Sequence, residues 1–129
     1  MKRLAALALA VLAGGAAAQA VQVAPGTVDE LRAIYATSLE IAEGERIAKS
    51  NCARCHGASG ISATKGVPHL ADQRAAYLDH QLRQYRFGAR PKSAMTGAVR
   101  DLSPEVLVNV AAYYASLPPP RPAPPPAKG

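Results

Sequence analysis

Tryptophan is absent from this chain of 129 residues and phenylalanine occurs once. With so few large side chains to fill an interior, a small domain built from this sequence gains from a bound group in its core. No stretch reads as a β-strand and no internal repeat stands out, which leaves an all-α domain. No apolar run reaches the ~20 residues that a spanning helix needs. Fifteen Lys and Arg against nine Asp and Glu give a formal charge of +6, but there is no dense basic run and no nucleic-acid motif. Such moderate basicity points to acidic protein partners before nucleic acid.

The longest apolar run, Leu4 to Ala18, follows Met1-Lys2-Arg3 and leads into Ala18-Gln19-Ala20. A positive start, a short apolar stretch and an A-x-A site together read as a secretory signal peptide over residues 1–20. The mature chain is then expected to begin at Val21, to be exported to a bacterial periplasm, and to have no membrane span after cleavage. Without Lys2 and Arg3 the formal charge falls to +4. At the other end, 118–129 is dominated by proline and reads as a disordered, polyproline-like tail.

Between these ends the periodicity predicts a few helices. Residues 21–38 form an N-terminal extension, with a possible short helix over Val28 to Thr37 through Val28, Leu31, Ile34 and Tyr35. A helix is expected from Leu39 to about Ala53. Gly44 inside it is costly unless a second helix crosses closely there. Asp72 is expected to cap a third helix running to about Phe87, with Gly88 ending it. Ser103-Pro104-Glu105 opens the last, with an N-cap, a proline in the first turn and an acid beside the helix dipole. Its Val106, Leu107, Val110, Tyr113, Tyr114 and Leu117 recur at helical spacing. Two long loops, Gly57 to Ala71 and Arg90 to Leu102, are unusual for a small helical domain unless they enclose something.

The two cysteines supply a candidate. Cys52-Ala53-Arg54-Cys55-His56 is the C-x-x-C-H pattern of covalent haem attachment. Each thiol can add to one haem vinyl group, while the adjacent imidazole reaches iron. A bare C-x-x-C could instead be a redox dithiol or half a zinc site. In an oxidising compartment two cysteines would ordinarily close a disulfide, but this spacing followed by histidine favours thioethers to one haem c per chain.

Once the signal is removed Met95 is the only methionine, and it falls in the second loop. A thioether there suits low-spin haem iron, and His/Met ligation fills both axial sites, favouring electron transfer over oxygen chemistry. His69 and His80 are the rival sixth ligands, and an ordinary loop or core role for Met95 stays open on spacing alone.

A broader set of residues resembles one haem domain of the cytochrome c4 and c553 group of class I c-type cytochromes. These are Gly44, the C-x-x-C-H pentapeptide, Gly66-Val67-Pro68-His69-Leu70, Tyr85-Arg86-Phe87-Gly88, Met95, Leu102-Ser103 and Ala112-Tyr113-Tyr114-Ala115. The resemblance implies a class I cytochrome c-like fold over residues 39–117, wrapped around one haem. It implies thioethers at Cys52 and Cys55, iron ligands His56 and Met95, and a Pro68 carbonyl that accepts a hydrogen bond from His56. Cytochromes c4 carry two haem domains where this chain has one motif, and His69 stands where that group usually has asparagine. The function implied is single-electron transfer between redox proteins with acidic docking surfaces, the protein not itself being an enzyme. The alternative is a haem subunit of a specific periplasmic oxidoreductase.

Overall fold

A computed structural model of the chain describes residues 27–121, with side chains from residue 31 onward. The expected signal segment, residues 21–26 and the tail from residue 122 lie outside the described residues. Every regular element among the described residues is a helix, so the expected all-α class holds.

The framework is a pair of crossing helices, α2 (Ser38–Asn51) and α6 (Pro104–Ser116), which make the most extensive helix pairing in the molecule. A reciprocal cap opens α2. Thr37 Oγ1 accepts the Glu40 N–H at 3.3 Å, and the Glu40 carboxylate accepts the Thr37 N–H at 2.8 Å. The bonds that the Thr37 N–H and hydroxyl donate to it hold the Glu40 carboxyl below the usual carboxylate range. At the start of α6 the expected cap is present, with Ser103 Oγ accepting the Val106 N–H at 3.4 Å. Leu107, Val108 and Ala111 have no exposed surface, because α6 is surrounded by α2, by α4 (Ala75–Arg86) and by α1 (Thr27–Ile34). Gly44 lies at the crossing. A Cβ built there would run into the Asn109 carbonyl and sit 3.0 Å from the Val110 nitrogen.

Three local expectations change in the folded chain. Asp72 does not cap α4. It takes a left-handed φ of 60°, and its N–H donates to the Tyr114 carbonyl at 3.1 Å. That tertiary bond replaces the cap, and α4 begins after Arg74 with no side-chain cap. The second loop contains a short helix, α5 (Ala94–Val99), packed on α4 and preceded by a Ser93 N–H donating to Thr96 Oγ1 at 3.2 Å. Among the described side chains of α1 Ala33 is the buried one, while Leu31, Ile34 and the following Tyr35 are 51%, 56% and 80% exposed. A methyl group at Ala33 lets α1 lie close to α4 and α6.

A buried ion pair ties α4 to the start of α6. Asp79 is fully buried, Arg83 Nε donates to its carboxylate at 2.7 Å, and Arg83 also donates to the Pro104 carbonyl at 3.4 Å. No helix among the described residues is long and apolar enough to cross a membrane.

Candidate functional site

Cys52 ends α2 and begins the single-turn helix α3 (Ala53–His56). Its N–H donates to the Ala48 carbonyl at 2.9 Å, and its own carbonyl accepts from Cys55 N–H at 3.2 Å and His56 N–H at 3.0 Å. Residues three and four apart on a helical turn share one face, so both sulfurs and the imidazole belong to the same side of α3. Both cysteines are free thiols in this structure. They are not equivalent. Cys55 is exposed, whereas Cys52 is half-buried against the core, where burial pushes its thiol pKa up and a hydrogen bond with the Tyr114 hydroxyl partly offsets that.

His56 is buried, and its Nδ1 lies 2.9 Å from the Pro68 carbonyl oxygen. Since a carbonyl only accepts, Nδ1 carries the proton, and Nε2 is the ring nitrogen left with a lone pair. Ser62 joins the two ends of the intervening loop. Its Oγ donates to the Cys55 carbonyl at 2.8 Å, and its N–H donates to His69 Nδ1 at 2.9 Å. The Gly60 carbonyl accepts from Leu70 N–H at 2.8 Å and Ala71 N–H at 3.2 Å. At φ 74° with the Tyr114 ring 3.0 Å from where a Cβ would sit, position 60 requires glycine.

Tyr114 closes the underside of the loop with three groups. Its ring meets Gly60, its carbonyl accepts from Asp72, and its hydroxyl reaches Cys52. Burial is the main cause that raises the Tyr114 pKa well above the ordinary tyrosine value. Sequence reasoning placed Tyr114 only on the packing face of α6. It gave Ser62 no role at all, since a serine in a Gly- and Ser-rich loop carries no pattern of its own.

Met95 lies on α5, half-buried, and α5 is carried by α4 as α3 is carried by α2. His80 is exposed on α4, and exposed His69 is engaged through Nδ1 with Ser62. The donor set fits a covalent haem. Two free thiols and a histidine with one nitrogen engaged and the other available stand on one helical face, and the one thioether among the described residues, Met95, lies on a separate helix. Tetrahedral zinc takes four ligands, and no group of three or more His, Cys, Asp and Glu converges among the described residues.

Comparison with known proteins points to c-type cytochromes. Over 65 residues the chain is 42% identical to cytochrome c4 of Pseudomonas aeruginosa, which is 50% of this chain and 32% of that protein. The chain thus spans about a third of that relative's length. It is 37% identical over 68 residues to cytochrome c-554(548) of Halomonas halodenitrificans, covering 50% of this chain and 82% of that one. The crystal structure of reduced recombinant cytochrome c4 from Pseudomonas stutzeri superposes with a TM-score of 0.59 at 26% identity, over 63% of this chain and 50% of that chain. The family model described as cytochrome C oxidase, cbb3-type, subunit III matches residues 39–113. The chain therefore belongs to this family of c-type cytochrome domains, whose cofactor is a covalently held haem c.

Proposed function

We propose that the chain is a periplasmic electron-transfer protein in which Cys52 and Cys55 carry the haem thioethers and His56 and Met95 are the axial iron ligands. The observation that carries this reading is His56: buried, adjacent to two free thiols, and fixed through Nδ1 by the Pro68 carbonyl so that Nε2 is the nitrogen left to bind a metal. A haem held there supplies a one-electron couple at iron. The residues of the chain hold the imidazole in one orientation, keep its proton on Nδ1, and raise its basicity through the carbonyl that accepts that proton. Met95 as sixth ligand leaves no open position for oxygen chemistry. In this reading residues 1–20 are the export signal, 39–117 the haem domain and 118–129 a proline-rich tail.

Replacing Met95 with alanine tests the ligand set. The variant should lose the weak near-infrared sulfur-to-ferric-iron band, fall in potential, and bind cyanide and carbon monoxide. His69→Ala and His80→Ala should keep the band. An unchanged band in Met95→Ala would pass the sixth position to another residue.

Partners are proposed to be redox proteins with acidic docking surfaces. Arg54, Lys65 and Lys92 are exposed, whereas Arg90 lies over the Tyr85 ring and bonds Gln81, and Arg100 pairs with Asp101. A second reading is favoured by the family description, which is that of an oxidase subunit: the chain is a haem subunit of one oxidoreductase. Stoichiometric co-purification with a catalytic partner would select it.

A further inference from the structure

Two neighbouring pairs of residues face each other across the haem loop, Cys55-His56 and Pro68-His69, and two links join them. One is the 2.9 Å contact between His56 Nδ1 and the Pro68 carbonyl. The other runs through Ser62, whose Oγ donates to the Cys55 carbonyl at 2.8 Å and whose N–H donates to His69 Nδ1 at 2.9 Å. Ser62 is fixed further by the Thr64 N–H, which donates to its Oγ at 3.1 Å. We propose that His69 is a positioning residue for His56: by accepting the Ser62 N–H it holds the Pro68 carbonyl on the His56 ring, and protonation of His69 releases that hold. The inference rests on the reading of His56 as an iron ligand.

The geometry sets the protonation state that works. A backbone N–H can only donate, so His69 Nδ1 must be the bare nitrogen and Nε2 must carry the hydrogen. A proton added to Nδ1 opposes two N–H groups and breaks the link. His69 is exposed, so solvent reaches its ring. Imidazole is the side chain that changes charge between pH 5 and 8. The titratable and charged groups on the surrounding segments are Arg54, Cys55 and His56 on α3, Lys65, Asp72 and Arg74 on the connection to α4, and Tyr114 on α6. Among the described residues no ion pair joins any of them to His69, and its one hydrogen bond is the one from Ser62.

The consequence falls on the potential. With the carbonyl in place the His56 ring is a stronger electron donor, which favours ferric iron. When the carbonyl withdraws, the ring donates less and the potential rises. The neutral His69 form therefore goes with the lower potential and the protonated form with the higher one.

The test is the potential of the haem-loaded full chain between pH 5 and pH 8, in wild type, His69→Asn and His69→Leu. Wild type should show a higher potential at pH 5 than at pH 8. Asparagine offers an acceptor oxygen that does not titrate, so His69→Asn should stay flat at the wild-type pH 8 value. Leucine offers none, so His69→Leu should stay flat at the raised value. Deuterium exchange of the His56 Nδ1 proton in the reduced protein should be at least tenfold faster in His69→Leu than in wild type at pH 8. If His69→Leu matches wild type at pH 8 in both potential and exchange, His69 acts only through its charge and the proposal is overturned. A pH dependence that persists in His69→Asn belongs to another group, such as a haem propionate, and also overturns it. A His56→Ala protein that keeps the wild-type low-spin spectrum would instead overturn the ligand reading beneath it.

Discussion

Tyr114 brings together at one side chain what α6, the haem loop and the first cysteine each need. Tyr114 as a whole is only 2% exposed, and desolvation raises its pKa, with the Cys52 sulfur adding to the effect. An acid whose pKa is raised by folding contributes stability that is fully present below its unfolded-state value, about 10 for tyrosine, and is lost as pH climbs above it. The thermal midpoint should accordingly hold to about pH 10 and then drop. Tyr114→Phe keeps the ring and removes the hydroxyl, so it should lose about 1 kcal/mol at pH 8 and fall less steeply between pH 10 and 11.5. A parallel alkaline fall in the two proteins would dismiss Tyr114 as the titrating group. Nothing in a tyrosine at helical spacing announces a partner for its hydroxyl. Met95 offers itself as a ligand only by elimination, while the C-x-x-C-H pentapeptide was legible as a haem-attachment pattern because covalent attachment takes two thiols and an imidazole in that order. Ser62 was not, because its role is to bond two main-chain segments and the nitrogen of a second histidine, contacts that exist only after the loop has closed.

Helix by helix, legibility followed how local the cause was. The α6 cap is written in Ser103-Pro104-Glu105, and Gly44 announced a close crossing because a mid-helix glycine is otherwise costly. Gly44→Ala should cost on the order of 1–3 kcal/mol or more, since the methyl meets backbone at Asn109 and backbone cannot move aside as a flexible side chain can. A urea midpoint at or above that of wild type would mean that the α2–α6 crossing tolerates more separation than its geometry indicates. Elements decided by tertiary contacts escaped sequence reading. Six residues of α5 are too few for a period to register, and Asp72 had a better use for its N–H at Tyr114 than for its carboxylate at the head of α4. Asp79 and Arg83 stand at i, i+4, a spacing that announces a surface pair, yet here the acid is fully buried and the base reaches the Pro104 carbonyl.

At the scale of the whole molecule, a basic haem surround would steer acidic partners. Association of that kind quickens at low ionic strength and fades as the Debye length shrinks to ~8 Å at physiological salt. Electron-transfer rates with an acidic partner should fall along a salt series, and the fall should be smaller in Lys65→Glu and Lys92→Glu. A rate indifferent to salt would remove charge from the docking step. The pairing of α2 with α6 also fixes an order of events. These helices are separated by the whole haem loop and by α4 and α5, so their contact becomes available only once α6 has been made, and contacts so distant in sequence close slowly. Until α6 arrives, the Cys52 thiol has neither Tyr114 beside it nor a core to turn toward. The unfolded chain thus passes through an interval in which both thiols are equally open to solvent, and the docking of α6 ends that equivalence.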